Sequence, residues 1–261
     1  MILRRAALLL AVLAGPAAAE CTISMRMDQD PPYLTRQPDG AATGINVDVA
    51  REAFRRMGCK VEFRDVPFGR ALRELQEGTL GVVSDMFETP DRESFALFSK
   101  TGNRIANRLY VRLADKDRWK IESYDDLPRQ GIRLGIETGA LASPDFKGVA
   151  DAPAVHSILV PARTHESLWR MLAASHVDAV IMDDLTALTE LRQLDLAQAI
   201  TGTGFVASID PAHFAFSRAL FSPDDVHRFD ETVAGMRRDG TVAKILVLYG
   251  IDPGAAVDIQ D

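Results

Sequence analysis

Two short segments far apart in the chain carry side chains that could together hold a doubly charged small molecule. The first, Ser84-Asp85-Met86-Phe87-Glu88-Thr89-Pro90-Asp91-Arg92, ends in a hydroxyl and a guanidinium. That pair can grip a carboxylate through charge-assisted hydrogen bonds with a defined fork geometry. The second, Val177-Asp178-Ala179-Val180-Ile181-Met182-Asp183, ends in a carboxylate, the complement of an ammonium group. Each reads as a short apolar strand running into polar residues. Brought face to face, they would hold a zwitterion such as an amino acid by both ends.

The rest of the chain offers little for catalysis. His156, His165, His176, His213 and His227 show no HExxH motif and no paired metal-ligand spacing, and each reads as a surface or helix residue. A GxSxG elbow is missing, and the stretch from Gly135 to Gly139 lacks the lysine and the repeat of a phosphate loop. The sequence therefore calls for no enzyme activity, no cofactor and no metal.

The elements that position the two segments belong to an exported chain. Arg4 and Arg5 precede an apolar run from Ala6 to Gly15, and Ala17-Ala18-Ala19 supplies a small-residue cleavage signal. The run is too short to span a bilayer, which takes roughly 20 apolar residues. Residues 1–19 are expected to be a cleaved signal peptide and the mature protein to be periplasmic. Glu20 stands where lipid attachment at Cys21 would want a small residue. Losing Arg4 and Arg5 takes the basic count from 30 to 28 against 37 acids, a formal charge of −9. Nothing there attracts nucleic acid or anionic lipid. Cys21 and Cys59 each precede an apolar alternating run, Thr22–Met27 and Lys60–Phe63. Neighbouring parallel strands would bring both to one end of a sheet, where an oxidising compartment favours a disulfide over two buried thiols.

Strand and helix patterns alternate along the chain. Val47, Ala50, Phe54 and Met57 recur at helical spacing before Gly58, and Ala71, Leu72 and Leu75 mark a helix ending near Gly78. Leu80 to Val83 reads as a buried strand. A second set comprises the strand Ile132–Ile136, a helix from Ser167 to Ala174 and the strand Ala179–Met182. Ser222, Pro223, Asp224 and Asp225 open a helix whose stripe is Val226, Phe229, Val233 and Met236, closed by Gly240. This rhythm predicts βαβ units in an α/β fold, with ligands beyond the carboxyl ends of parallel strands.

Several of these pieces, in order, resemble the extracellular solute-binding proteins of family 3, the periplasmic receptors of amino-acid ABC transporters. They are Pro31-Pro32-Tyr33, Gly44–Ala50, Val66–Leu72, Leu75–Gly78, Thr89–Arg92, Leu97–Ser99, Asp126-Leu127, Val177–Asp183 and Asp239–Ile251. The resemblance implies the two-lobed periplasmic-binding-protein type II fold, each lobe a mostly parallel sheet flanked by helices, joined by two hinge crossovers. Lobe 1 would be residues 20–108 plus 214–261, and lobe 2 residues 109–213. It also implies a monomer that closes on a small polar ligand and delivers it to an ABC permease. The ligand would lie against Tyr33 and Phe68, with its carboxylate on Thr89 and Arg92 and its amino group on Asp183; Phe87, which departs from the family pattern, is a further candidate for the wall. Thr138 and Gly139 would stand at the carboxylate end.

Departures from the family pattern bear on the ligand. Asp85 and Glu88 are additional acids, placed to welcome a second cation or to point outward into water. Gly139 is followed by Ala140 and Leu141 instead of a hydroxyl, leaving backbone amides. Lys100-Thr101-Gly102-Asn103 replaces the usual aromatic pair, and Gly81 a usual aspartate. Two alternatives follow: an accessory or sensory binding protein with a degenerate cleft, as in partners of quinoprotein dehydrogenases, and a dehydratase on the same fold.

Overall fold

The computed structural model describes residues 21–139, 146 and 150–251, with only the backbone of residues 104 and 105. The expected signal peptide and the Ala140–Leu141 step lie outside the described residues.

Ten strands are described: β1 (Cys21–Met27), β2 (Thr35–Arg36), β3 (Ala42–Thr43), β4 (Cys59–Asp65), β5 (Val82–Phe87), β6 (Ala96–Arg112), β7 (Leu134–Glu137), β8 (Leu159–Ala162), β9 (Ala179–Asp183) and β10 (Ile200–Ser217). The helices are α1 (Ile45–Arg56), α2 (Phe68–Glu77), α3 (Pro90–Glu93), α4 (Asp126–Arg129), α5 (Pro153–His156), α6 (His165–Ala173), α7 (Asp184–Gln193), α8 (Pro223–Arg238) and α9 (Thr241–Leu248).

Local chemistry explains several boundaries. Pro67 precedes α2, and Gly78 ends it with φ 73°, a left-handed cap that costs glycine little. At α8, the Ser222 hydroxyl accepts from the Asp225 amide while the Asp225 carboxylate accepts from the Ser222 amide, a reciprocal capping box. Met57 stands one position past the end of α1. Strand β5 begins two residues later than the Leu80–Val83 apolar run predicts and carries on through Ser84, Asp85, Met86 and Phe87, so Ser84 and Asp85 lie in the strand itself.

Eight strands form one sheet in the order β4-β1-β5-β10-β6-β9-β7-β8. Parallel pairs occupy its two ends: β1 with β4 and β5, and β7 with β8 and β9. Between them β6 and β10 run antiparallel. These long strands carry the chain from one half to the other and back, so the α/β fold with two crossings is present. Its centre is an antiparallel ribbon that alternation of strands and helices did not predict.

Each half has its own core. Under the first, Phe54 and Phe216 each pack within about 6 Å of Phe229 or one another, among Met25, Val47 and Ile45. Under the second, Trp169 is fully buried and meets Tyr110 edge-on at 5.6 Å. Full burial of one such side chain contributes roughly 1.5–3 kcal/mol. Cys21 pairs with Cys59 in the β1–β4 register, Cα atoms 4.6 Å apart, and the two are joined by a disulfide. No described helix is long and apolar enough to cross a membrane.

Candidate functional site

The carboxyl ends of β1, β5, β7 and β9 converge on one cavity of about 120 Å3 between the two halves. Phe68, Ser84, Asp85, Phe87 and Arg92 line it from the first half, with Arg26, Asp28 and Asp30. Glu137, His165, Leu168, Met182 and Asp183 line it from the second, beside Asn107 of β6.

Arg92 stands on α3, buried against the Phe68 ring at 5.6 Å from the ring centre. Its guanidinium donates to the Phe87 carbonyl at 2.9 Å and to the Gly139 carbonyl at 3.3 Å. Among the described residues it has no carboxylate partner. Burial depresses its pKa to about 10, so an anion reaching it would relieve an unpaired buried charge.

Across the cavity Asp183 ends β9 and serves as N-cap of α7, its carboxylate accepting from the amides of Leu185 and Thr186. Asp183 thus caps a helix and lines the cavity, and its buried carboxylate titrates above the usual range because burial outweighs those hydrogen bonds. The neighbouring acids are used elsewhere. Asp184 is paired with Arg108 and Tyr110, and Asp178, at the other end of the β9 segment, is held by Arg133 and Arg112.

Asp85 faces the cavity with φ 55°, a left-handed conformation that aspartate tolerates better than most residues. Its carboxylate accepts from the amides of Asn46 and Asn103, the latter at 2.7 Å. Burial pushes its pKa up to about 6 despite those donors. Asn103 belongs to the Lys100–Asn103 stretch that replaces the expected aromatics. Two departures in the sequence are therefore one arrangement: the added acid and the amide that holds it.

The structure separates the remaining candidates. Phe68 and Phe87 line the cavity. Tyr33 is buried in the first core, where burial and then the Asp183 and Asp85 carboxylates push its phenol pKa well up; it backs the cavity without lining it. Thr89 is buried as N-cap of α3 and also lies outside the lining. Glu88 is exposed and borders a surface groove with Lys100 and His227. Thr138 and Gly139 lie at the rim, beside Gly69. A Cβ on Gly139, whose φ is 84°, would come within 2.9 Å of the Gly69 Cα, and one on Gly69 within 3.1 Å of the Thr138 carbonyl oxygen. The two halves meet there backbone to backbone.

Sequence reasoning missed a second set. His165, read as a surface or helix residue, is largely buried at the start of α6 and surrounded by carboxylates. Its Nδ1 lies 3.2 Å from Glu190 and 3.6 Å from Asp30, and its Nε2 lies 3.5 Å from Glu137. Burial opposes its charge, but Glu190, Glu137 and Asp30 outweigh this and raise its pKa well above the ordinary imidazole value. Burial likewise raises Asp30, with His165 opposing. Glu137, His165 and Glu190 come from three separate elements and Asp30 from the loop after β1, with no common spacing, so no motif could announce them. The cavity as a whole is acidic. Arg26 is paired with Asp28, leaving Arg92 and His165 to face Asp30, Asp85, Glu137 and Asp183.

Comparison with known proteins places this geometry in context. The profile of the bacterial extracellular solute-binding proteins, family 3, matches residues 23–250. The "Probable amino-acid-binding protein YxeM" of Bacillus subtilis (strain 168) is 22% identical over 228 residues, covering 85% of this chain and 80% of its own. The L-cystine-binding protein TcyJ of Escherichia coli (strain K12) is 21% identical over 217 residues, covering 81% of this chain and 76% of its own. Among solved structures, an ancestral arginine-binding protein bound to arginine superposes with a TM-score of 0.74 at 24% identity, over 87% of this chain and 97% of that one.

Proposed function

Because the chain belongs to the bacterial extracellular solute-binding proteins, family 3, we propose that it is the periplasmic receptor of an ABC importer for an amino acid or a close cationic analogue. The observation that carries this reading is the pairing across one buried cavity of Arg92, which lacks a carboxylate partner among the described residues, with Asp183. Arg92 takes the ligand carboxylate, and Asp183 takes its ammonium group. Phe68 and Phe87 cover its apolar atoms. Asp85 and the acidic surplus of the cavity favour a ligand with a second positive charge, which fits the arginine named for one structural neighbour.

Residues 20–108 with 214–261 act as one lobe and 109–213 as the other, hinged where β6 and β10 cross. A ligand that bridges Arg92 and Asp183 has its full set of contacts only when the lobes are together, so binding shifts the population toward closure. The family is one of binding proteins, and this chain binds and releases without turnover. Residues 1–19 direct export and are removed, and the mature protein acts as a monomer with its permease. Thr89, Thr138 and Tyr33 support the site from behind or from its rim.

Native mass spectrometry of protein taken from its own periplasm, before and after denaturation and refolding, tests this. Release of a small mass matching an amino acid or amine is expected. Protein that is empty as isolated, and whose melting temperature no amino acid or amine shifts, would count against the receptor reading.

A further inference from the structure

The cluster around His165 is more than an acidic wall for a ligand. Three potential ligand atoms, from Asp30, His165 and Glu190, all lie within 4.8 Å of one another. From His165 Nδ1 it is 3.2 Å to Glu190 and 3.6 Å to Asp30. Zinc bonds of about 2.0–2.2 Å at tetrahedral angles put neighbouring ligand atoms roughly 3.4 Å apart, which both separations from Nδ1 match, and the Asp30 and Glu190 oxygens lie within 4.8 Å of each other.

The hydrogen bonds around the three have the form that metal ligands use. An imidazole coordinating through one nitrogen ordinarily gives its other N–H to a carboxylate, which fixes its tautomer and orientation. Here Nε2 faces Glu137 at 3.5 Å while Nδ1 faces the other two acids. Trp169 donates to the second oxygen of Glu190 at 2.5 Å, while the first lies against His165 Nδ1 at 3.2 Å, where an ion would take the place of their hydrogen bond, and the Thr186 hydroxyl donates to Asp30 at 3.0 Å. Glu190 makes no part of the cavity lining, so its position behind His165 is not explained by contact with the transported ligand.

Charge gives an independent reason. Asp30, Glu137 and Glu190 surround one imidazole, with side chains 17, 9 and 7% exposed. Among the described residues, His165 is the one cationic group within salt-bridge distance of these acids, in a place where unpaired charge is expensive. A divalent ion there would add positive charge that a single imidazole does not supply.

We propose that Asp30, His165 and Glu190 form a three-ligand site for a divalent transition-metal ion, with its open position toward the cavity. One imidazole nitrogen with two carboxylates suits Zn2+, and the nitrogen disfavours Mg2+ and Ca2+. Asp30 comes from the first half of the molecule, and His165 and Glu190 from the second, so the ion ties the two together. The site goes beyond amino-acid capture, and that reading stands or falls separately.

The test uses untagged mature protein stripped with chelator and free of amino acids. Zn2+ is titrated calorimetrically, bound metal is counted by elemental mass spectrometry, and Co2+ is substituted for its visible absorption. The expected result is one equivalent of Zn2+ bound at micromolar affinity or tighter and a four- or five-coordinate Co2+ spectrum. H165A abolishes both, E190Q weakens binding at least tenfold, and E137Q weakens it about 10–100-fold with stoichiometry unchanged. If H165A does not fold, H165Q replaces it, and melting curves verify each variant. Zn2+ binding weaker than about 100 µM, or binding that H165Q and E190Q leave unaltered, overturns the site. Retention of an amino acid by the metal-free protein is read separately, so failure of one reading is not failure of the other.

Discussion

Gly69→Ala separates the stability of the molecule from the stability of its closed form. Gly69 lies in the first turn of α2, and its Cβ would meet the Thr138 carbonyl oxygen of the opposite half at 3.1 Å. Within its own half the substitution is favourable, because alanine loses less backbone freedom than glycine in a helix, by up to about 1 kcal/mol. Against the opposite half it is unfavourable. A carbonyl oxygen cannot turn aside as a side chain does, and overpacking of this kind typically costs about 1–3 kcal/mol. The collision exists only when the halves are together, so its whole cost falls on ligand affinity. At 1.4 kcal/mol per factor of ten, affinity drops about 5- to 140-fold. The ligand-free melting temperature meanwhile stays level or rises. Thermal unfolding without ligand and calorimetric titration with the amino acid that shifts the parent protein measure the two quantities on one sample. An alanine variant with unchanged affinity would show that the Gly69–Thr138 contact plays no part in closure. One that lost stability and affinity together would show an ordinary packing defect.

Other expectations follow from the same geometry. Asp183→Asn keeps a good N-cap for α7, since asparagine and aspartate cap equally well, while Asp183→Ala forfeits about 1 kcal/mol. Both lose at least tenfold in affinity for an ammonium-bearing ligand, so calorimetry and urea unfolding of the pair separate the cap from the binding charge. The folded Asp85 holds its proton up to a pKa of about 6 against an ordinary 3.8, so the folded state binds the extra proton between those values. Its contribution is fully present below about pH 4 and is lost as pH rises through about 6, a change of about 2–3 kcal/mol. Relative to the parent, Asp85→Asn should therefore become progressively more stable from pH 4 to pH 7, and parallel urea-unfolding profiles would refute this. Reduction of the Cys21–Cys59 bond, which closes a separation of 38 residues, should cost about 4 kcal/mol; a Cys21→Ser, Cys59→Ser variant with an unaltered urea midpoint would contradict it.

What could be read from the sequence was what depends on neighbours along the chain. The stops at Gly58 and Gly78, the Ser222 cap and the cysteine pairing each rest on a few adjacent residues, and the structure contains them all. The central ribbon was hidden because β6 and β10 are stabilised by each other over 17 and 18 residues, and neither shows sustained apolar alternation that would mark so long a strand. The site divides along the same line. Arg92 and Asp183 sit at the ends of recognisable segments, whereas His165, Glu137, Glu190 and Asp30 acquire meaning only by meeting.

Asp85 marks the point where local reading stops. Alone, an acid beside the arginine proposed to take a carboxylate reads either as a site for a second cation or as a charge pointing into water. In place it is held by Asn46 from α1 and Asn103 from β6, and a carboxylate between two amide donors is neither solvated nor idle. Three residues from three elements have to agree for that acid to be buried, and each is unremarkable by itself. A chain that had merely lost its binding chemistry would have no reason to keep both amides aimed at one oxygen pair. The departures that could be taken for decay of the cleft are, on this geometry, the construction of a more acidic one. On the proposed receptor reading, a more acidic cleft favours a ligand with more positive charge than a neutral amino acid.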